Sequence, residues 1–371
     1  MPATEAEVRA ALAAVEEPEL GLPILALGLV QGIAVDGATV VIAIAEPLAD
    51  RGRWAELEAR VRAALSELDG VEHVEVDLRS MTQDELPAVA RVLKGTPAPN
   101  PLAVVDANAP ARPAPRINPF AESGTRVLAI ASGKGGVGKS SVTTNLSIAL
   151  AQRGRRVAVV DADVWGFSLP RMLGVAYPPD LIDDVIVPPT AHGVHVISMG
   201  FFTEEDQAVI WRGPMLHKAL EQFLTDVYWG APEYLVVDLP PGTGDISLSI
   251  AQFLPRAEVV IVTTPQPAAQ KVAQRAASMA EKVDLAVVGV IENMSWFRGD
   301  DAKAYEIFGA GGGQELADQI GVPLLGRIPL VPALREGGDV GRPIVIADPD
   351  DEAAAVFRSI AEQIDSVTLD G

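Results

Sequence analysis

Cysteine is absent from all 371 residues of the chain. This absence excludes disulfide bonds, thiolate nucleophiles and every metal site built on sulfur ligands. Basic residues are also scarce, since 29 lysines and arginines face 50 acidic residues, for a formal net charge of -21. Nucleic acids and anionic membranes are repelled by such a charge, so we expect neither as a partner. The start of the chain lacks a signal-peptide pattern and no apolar run has transmembrane length, which favours a cytoplasmic protein.

The composition divides the chain into three segments. Residues 1–94 predict helix, strand, strand, helix and strand, with a hairpin turn at Asp36-Gly37, and therefore a small α+β domain. Residues 95–124 are rich in proline and predict an extended linker. In residues 125–371, runs of Val, Ile and Leu alternate with helical stretches, which indicates a parallel sheet buried on both faces. We therefore predict an α/β domain preceded by the small α+β domain.

The stretch SGKGGVGKSS, residues 132–141, has a Walker A pattern between an apolar strand and a helix. Backbone N–H groups of such a loop surround phosphate oxygens, and the helix N-terminus adds partial positive charge. We expect Lys139 to contact the terminal phosphates of ATP and the Ser140 hydroxyl to bind Mg²⁺. The loop residues predicted to bind ATP are Gly133, Lys134, Gly135, Gly136, Val137, Gly138, Lys139, Ser140 and Ser141.

Carboxylates follow two of the apolar strands. Asp238 ends the run YLVVD and is the predicted Walker B residue, a Mg²⁺ ligand together with Ser140. Asp161 and Asp163 end another strand, where ligands gather in open α/β sheets. Gly242 would let the loop after Asp238 approach the γ-phosphate. Aspartates at strand ends are more often helix caps than catalysts, but two such ends beside a phosphate loop favour catalysis.

Lys134 is a second lysine in the loop, directly after its first glycine. Its flexible cation could reach a phosphate bound across a two-fold interface and act in trans, as an arginine finger does. The alternative is a solvated surface lysine. The role in trans predicts a nucleotide-bound homodimer.

These motifs resemble those of a known family. KGGVGKS is the deviant Walker A signature of the MinD/ParA class, a class of P-loop NTPases. WRGPM (211–215), YLVVDLPPGTGD (234–245) and IENMS (291–295) are similar to stretches of the Mrp (ApbC) iron-sulfur cluster carrier ATPases. PELGLPILALGLV (18–30) resembles the small iron-sulfur-assembly domain often fused to Mrp. The resemblance implies Mg-ATP hydrolysis by a homodimer, with iron-sulfur client or scaffold proteins as partners.

The resemblance also implies roles for single residues. Lys134 is the signature lysine, and Asp163 orients the attacking water in the first switch. Residues 238–245 form the second switch, and Asn293 reads the adenine edge. The implied switch residues are Asp161, Asp163, Gly242 and Asp245, and the implied catalytic residues are Lys134, Lys139, Asp163 and Asp238.

The chain departs from the family where a [4Fe-4S] cluster would bind. The family has a Cys-x-x-Cys pair shortly after the ENMS stretch, whereas this chain has WFRGDDAKAYEIFGAGGG there. The small domain has AIAEPLADR (43–51) where its family has a cysteine. Thiolates are the usual cluster ligands, so the family implies a [4Fe-4S] cluster that this chain lacks the residues to bind. The histidines are too dispersed to replace them; they are His73, His192, His195 and His217.

Three functions are compatible with these residues. The leading prediction is an ATP-hydrolysing homodimer of the Mrp type in iron-sulfur protein maturation, as a carrier or as an assembly accessory. The alternative is a MinD/ParA-like positioning or scaffold ATPase. Its membrane-attaching members end in a basic amphipathic helix, whereas this chain ends in the acidic stretch DEAAAVFRSIAEQIDSVTLDG. The third is an interaction module that binds nucleotide without turnover.

Overall fold

The computed structural model describes residues 3–49, 52–95, 118–121, 123–163, 166–202, 213–242 and 245–366. Most of the predicted linker and the first two residues of the WRGPM stretch lie outside these ranges. The chain divides into two compact units, one of residues 1–115, 180–187 and 226–230, the other of residues 116–179, 188–225 and 231–371. The limits 1–94, 95–124 and 125–371 stay a prediction.

The helices are α1 (Glu5–Leu12), α2 (Arg53–Ser66), α3 (Leu86–Leu93), α4 (Lys139–Gln152), α5 (Leu169–Met172), α6 (Gly213–Thr225), α7 (Asp245–Phe253), α8 (Pro267–Lys282), α9 (Gly312–Ile320), α10 (Pro332–Asp339), α11 (Ile344–Ala347) and α12 (Glu352–Ser366). The strands are β1 (Val30–Asp36), β2 (Thr39–Glu46), β3 (His73–Ser80), β4 (Arg126–Ser132), β5 (Val157–Asp161), β6 (Asp180–Ile182), β7 (Val185–Val187), β8 (Thr190–Ala191), β9 (Val194–Ser198), β10 (Tyr234–Asp238), β11 (Glu258–Thr263), β12 (Ala286–Glu292), β13 (Phe297–Arg298), β14 (Ala304–Tyr305) and β15 (Leu324–Arg327).

The first unit is built around the sheet β1-β2-β3. The predicted hairpin is confirmed, because Asp36 pairs with Thr39 and Gly37 has a φ of 61°, which glycine adopts without strain. β3 runs parallel to β2, so α2 forms the crossover between them. Leu12 of α1 and Ile44 of β2 lie in the core of this unit, which also takes in side chains of β6 and β7.

The second unit contains the large sheet, with described strands in the order β15-β12-β11-β4-β10-β5-β9-β8. Neighbouring strands are parallel except β8, which is antiparallel to β9. Every residue of β5, β10 and β11 is buried, as expected for apolar strands covered on both faces. The predicted parallel sheet is confirmed, and its order places β4 between β10 and β11.

Helix α4 follows the central strand β4 and is buried over most of its length. Two of its polar side chains bond carbonyls one turn back along the helix: Asn145 to Ser141 at 2.9 Å and Ser147 to Thr143 at 2.7 Å. Such bonds let hydroxyl and amide groups enter a core without unsatisfied donors. These two polar side chains on the buried part of α4 are therefore satisfied within the helix itself.

Candidate functional site

The phosphate loop connects β4 to α4 and depends on its glycines. Gly136 and Gly138 have φ values of 79° and 81°, a left-handed conformation that other residues rarely adopt. A Cβ on Gly133 would lie 2.3 Å from the backbone carbonyl carbon of Val272 in α8. The loop therefore needs glycine for its turns at two positions and for close packing on a helix at a third.

Asp238 is the centre of the site. Its fully buried carboxylate ends β10, and Oδ2 accepts hydrogen bonds from Lys139 Nζ and Ser140 Oγ, both at 2.6 Å. Oδ1 accepts a hydrogen bond from Thr143 Oγ1 at 2.5 Å. Lys139 is itself only 6% exposed, so this ion pair is protected from solvent. The structure thus brings the predicted Walker A and Walker B residues together.

Thr143 is a member of the site that the motifs do not reveal. It lies one helical turn after Lys139, so the two side chains share the face of α4 that meets β10. Its position four residues after the Walker lysine is the sequence signal that could have identified it. The hydroxyl fixes the second oxygen of Asp238 and so sets the orientation of the carboxylate.

Asp161 and Asp163 occupy different positions at the end of β5. The fully buried Asp161 accepts the backbone N–H groups of Ser168 and Leu169 at 3.1 and 3.2 Å, and so caps α5. Burial, and secondly the charge of Asp238, raise the pKa of Asp161 to about 7. Asp163 Oδ2 instead lies 3.9 Å from Lys139 Nζ. Their switch roles stay a prediction, but of these two carboxylates it is Asp163 that lies within ion-pair distance of Lys139.

Lys134 is half-buried, and its Nζ donates a hydrogen bond to Oε1 of Gln266 at 3.1 Å. Its backbone carbonyl accepts a hydrogen bond from Ser132 Oγ at 3.1 Å. The carbonyl of Ser132 in turn accepts the N–H of Gly242 at 2.9 Å. These bonds connect the phosphate loop, through Ser132, to Gly242 in the predicted second switch. Asp245, also predicted there, is the first residue of α7.

Asn293 is hydrogen-bonded to the phosphate loop. Its side-chain amide donates to the carbonyl of Val137 at 2.9 Å, and its backbone N–H donates to Thr263 at 2.8 Å. Only 2% of Asn293 is exposed, and among the described residues its Oδ1 has no hydrogen-bond partner. A role in reading adenine stays a prediction; the observed contact shows that Asn293 also braces the phosphate loop.

The donor set at Asp238 fits magnesium. A buried carboxylate and a serine hydroxyl supply the hard oxygen ligands that Mg²⁺ prefers. Ser140 and Asp238 are the residues that would hold the ion, with phosphate oxygens of the nucleotide. The stretch that replaces the family's cysteine pair offers no thiolate; it forms the short antiparallel pair β13 and β14. In the ranges that the structure describes, no group of three His, Asp or Glu side chains is arranged to hold a metal.

A parallel sheet with a Walker A loop on its central strand and a carboxylate on the neighbouring strand defines the class of the protein as a P-loop NTPase. The family model ParA, described as NUBPL iron-transfer P-loop NTPase, matches residues 124–365. The model FeS_assembly_P, described as iron-sulfur cluster assembly protein, matches residues 5–78. The chain belongs to the NUBPL iron-transfer P-loop NTPase family.

Relatives and solved structures agree with this family. An iron-sulfur cluster carrier protein of Mycobacterium leprae is 45% identical over 97% of this chain and 92% of its own length. A nucleotide-binding protein from Archaeoglobus fulgidus, in complex with ADP, is 32% identical with a TM-score of 0.54, over 62% of this chain and 91% of that one. The septum site-determining protein MinD of Pyrococcus horikoshii, complexed with Mg-ADP, is 27% identical with a TM-score of 0.50, over 65% of this chain and 96% of that one.

These findings confirm the predicted fold, the resemblance to the Mrp type and the predicted activity: the protein is an ATPase. Within the described ranges, no helix combines the length and apolar character needed to cross a membrane.

Proposed function

We propose that this protein is a homodimeric ATP-driven switch in iron-sulfur cluster assembly or transfer to apoproteins. The observation that carries the proposal is the convergence of Lys139, Ser140 and Thr143 on the buried carboxylate of Asp238. That arrangement suits Mg-ATP, and the curated relatives named iron-sulfur cluster carrier proteins support the cluster pathway as its setting. A cytoplasmic location is part of the proposal.

The chemistry proposed is in-line attack of water on the γ-phosphate. Lys139 exchanges the carboxylate of Asp238 for phosphate oxygens, which offer a similar charge-assisted hydrogen bond. Asp163, beside Lys139 Nζ, orients the water. Lys134 offsets developing charge on the nucleotide of the other chain. Mg²⁺, held by Ser140 and Asp238, would supply further neutralisation of the phosphate charge.

The homodimer and the role of Lys134 are tested together. Sedimentation velocity with a non-hydrolysable ATP analogue should show a dimer for the wild type and a monomer for Lys134→Ala. Phosphate release by Lys134→Ala should fall by about a thousandfold, the lower end of what a finger residue contributes. Wild-type turnover by a species that stays monomeric would contradict the proposal. Nucleotide binding with no turnover in either protein would instead identify an interaction module.

We propose further that the protein acts as an assembly accessory, because none of its side chains offers a thiolate to a cluster. Anaerobic reconstitution with iron and sulfide tests this point. The expected result is no visible absorption that scales with protein and persists after desalting. Persistent absorption would show that other ligands hold the cluster and that the protein is a direct carrier.

The second candidate is a positioning or scaffold ATPase, which the likeness to MinD favours. A net charge of -21 opposes attachment to DNA or anionic lipid. Co-sedimentation with DNA and with anionic liposomes, with and without ATP, separates the two functions. ATP-dependent pelleting with either would favour positioning, and its absence would favour the cluster pathway.

A further inference from the structure

The hydrogen bond between Lys134 and Gln266 opposes the role proposed for Lys134 in trans. A lysine that serves a second chain must leave its own, yet its Nζ lies 3.1 Å from Oε1 of Gln266 in the same chain. Both residues are half-buried, so solvent and a partner can reach the pair. Gln266 directly precedes α8 at the carboxyl end of β11, beside the phosphate loop.

The chemistry of this pair permits exchange. No described carboxylate lies within ion-pair distance of Lys134 Nζ, so its acceptor is a neutral amide oxygen. Lys139 differs, because its acceptor is the buried carboxylate of Asp238. A triphosphate is a stronger acceptor for a lysine than an amide is, since both partners are then charged. Lys134 is therefore held by a contact that a phosphate can replace.

The backbones on both sides of the pair are fixed. Gly133 packs so closely on Val272 and Ala273 of α8 that a Cβ would lie within 2.4 Å of their backbone atoms. The carbonyl of Lys134 is bonded to Ser132 Oγ. The side chain of Gln266 makes no capping hydrogen bond to α8, although Gln266 is the N-cap residue. Breaking the contact therefore requires only side-chain rotation, and replacing Gln266 removes no helix cap.

We propose that Gln266 is a positioning residue that holds the signature lysine within its own chain until the nucleotide of a second copy displaces it. We name this contact the Lys134–Gln266 latch. It rests on the proposed function, because it regulates the step in which Lys134 crosses to the partner.

The size of the effect follows from the fraction of chains whose latch is open. A ligand's apparent dissociation constant rises in inverse proportion to the fraction of competent protein. If the hydrogen bond favours the closed latch about fourfold, about one chain in five is open, and each chain weakens association about fivefold. A symmetric dimer opens two latches, so its dissociation constant changes by the square, about 25-fold.

Two substitutions of Gln266 should act in opposite directions. Gln266→Ala opens the latch and should lower the dimer dissociation constant about 25-fold, measured by sedimentation with a non-hydrolysable ATP analogue. Gln266→Glu supplies a charged acceptor and should raise it, by a factor that shrinks as salt screens the ion pair. Gln270→Ala is the matched control, since Gln270 lies on the same helix and its side chain contacts Pro265 rather than Lys134. This control should dimerise like the wild type.

The same substitutions in a Lys134→Ala background complete the test. Lys134→Ala forms no dimer, so the readout there is the unfolding temperature of the monomer. Both substitutions should leave that temperature unchanged, because the lysine they act on is gone, whereas a purely structural role of Gln266 would survive the loss of the lysine and lower it. Binding of a fluorescent ATP analogue by the monomer should be unchanged, which verifies a folded site. If Gln266→Ala dimerises like the wild type while Lys134→Ala still loses the dimer, the latch alone is overturned. An unaltered dimer in Lys134→Ala would overturn the proposed function instead.

Discussion

Replacing Thr143 by valine tests the geometry at the centre of the site. The change keeps the shape of the side chain and removes the hydroxyl that donates to Asp238 Oδ1 at 2.5 Å. Thr143 is fully buried, so water does not replace the lost donor. A hydrogen bond to a charged group contributes about 1.5–3 kcal/mol to the free energy of unfolding. For a unit of this size, a loss of about 2 kcal/mol lowers the unfolding temperature by roughly 4–8 °C.

The adjacent Thr144 provides a matched control. It is also buried, but its hydroxyl faces the sulfur of Met172 at 3.8 Å, a weak acceptor. Thr144→Val should therefore cost less than about 1 kcal/mol. Calorimetry of the nucleotide-free proteins measures both changes, and Thr143→Ser should recover most of the wild-type stability. Equal unfolding temperatures for Thr143→Val and Thr144→Val would refute the assignment of Thr143 to the carboxylate.

Three further outcomes are expected. Lys139→Ala should lose ATP hydrolysis, measured as phosphate release, because the chain that binds the nucleotide then has no lysine facing its terminal phosphates; wild-type turnover would rule out that contact. Burial, and secondly Glu17, raise the pKa of Glu46 from 4.5 to about 8. The folded state thus keeps a proton that the unfolded state loses, and stability falls by about 1.4 kcal/mol per pH unit as pH rises between these values. Glu46→Gln should reduce this loss of stability with pH, measured by urea unfolding at several pH values. An unchanged dependence on pH would contradict the assignment to Glu46. Gly133→Ala should lower the nucleotide-free unfolding temperature, because its Cβ would lie 2.3 Å from Val272. Gly135→Ala should leave the unfolding temperature unchanged, because no atom would lie nearer than 4.0 Å to its Cβ. Equal losses for the two variants in calorimetry would argue against close packing at Gly133.

The sequence predicts the strands of the second unit well because their chemistry is local. Runs such as VAVVD and YLVVD are apolar throughout, and only strands covered on both faces bury such runs completely. The glycines of the phosphate loop are equally informative, since their turns depend on their own φ values. The strands β6 and β7 have three residues each, which is too short for a sequence pattern to show a period.

The partners of individual side chains were less predictable, because they depend on strand order. β10 lies between β4 and β5, although it follows both in the chain, and this brings Asp238 beside Asp161. Asp161 accepts hydrogen bonds from backbone N–H groups at the start of α5. Asp163, two residues later, instead lies near Lys139. No sequence pattern identifies Gln266 as a partner of Lys134, because the contact joins two loops that are distant in sequence.

The make-up of the first unit has a consequence for how the chain folds during synthesis. Its core includes Ile182, Val185 and Val187, and its last segment ends at residue 230. The unit therefore cannot be completed until more than half of the 371 residues have left the ribosome, although domains usually fold in order from the N-terminus. A polypeptide released at residue 94 would leave the surface that these side chains cover open to water and to aggregation.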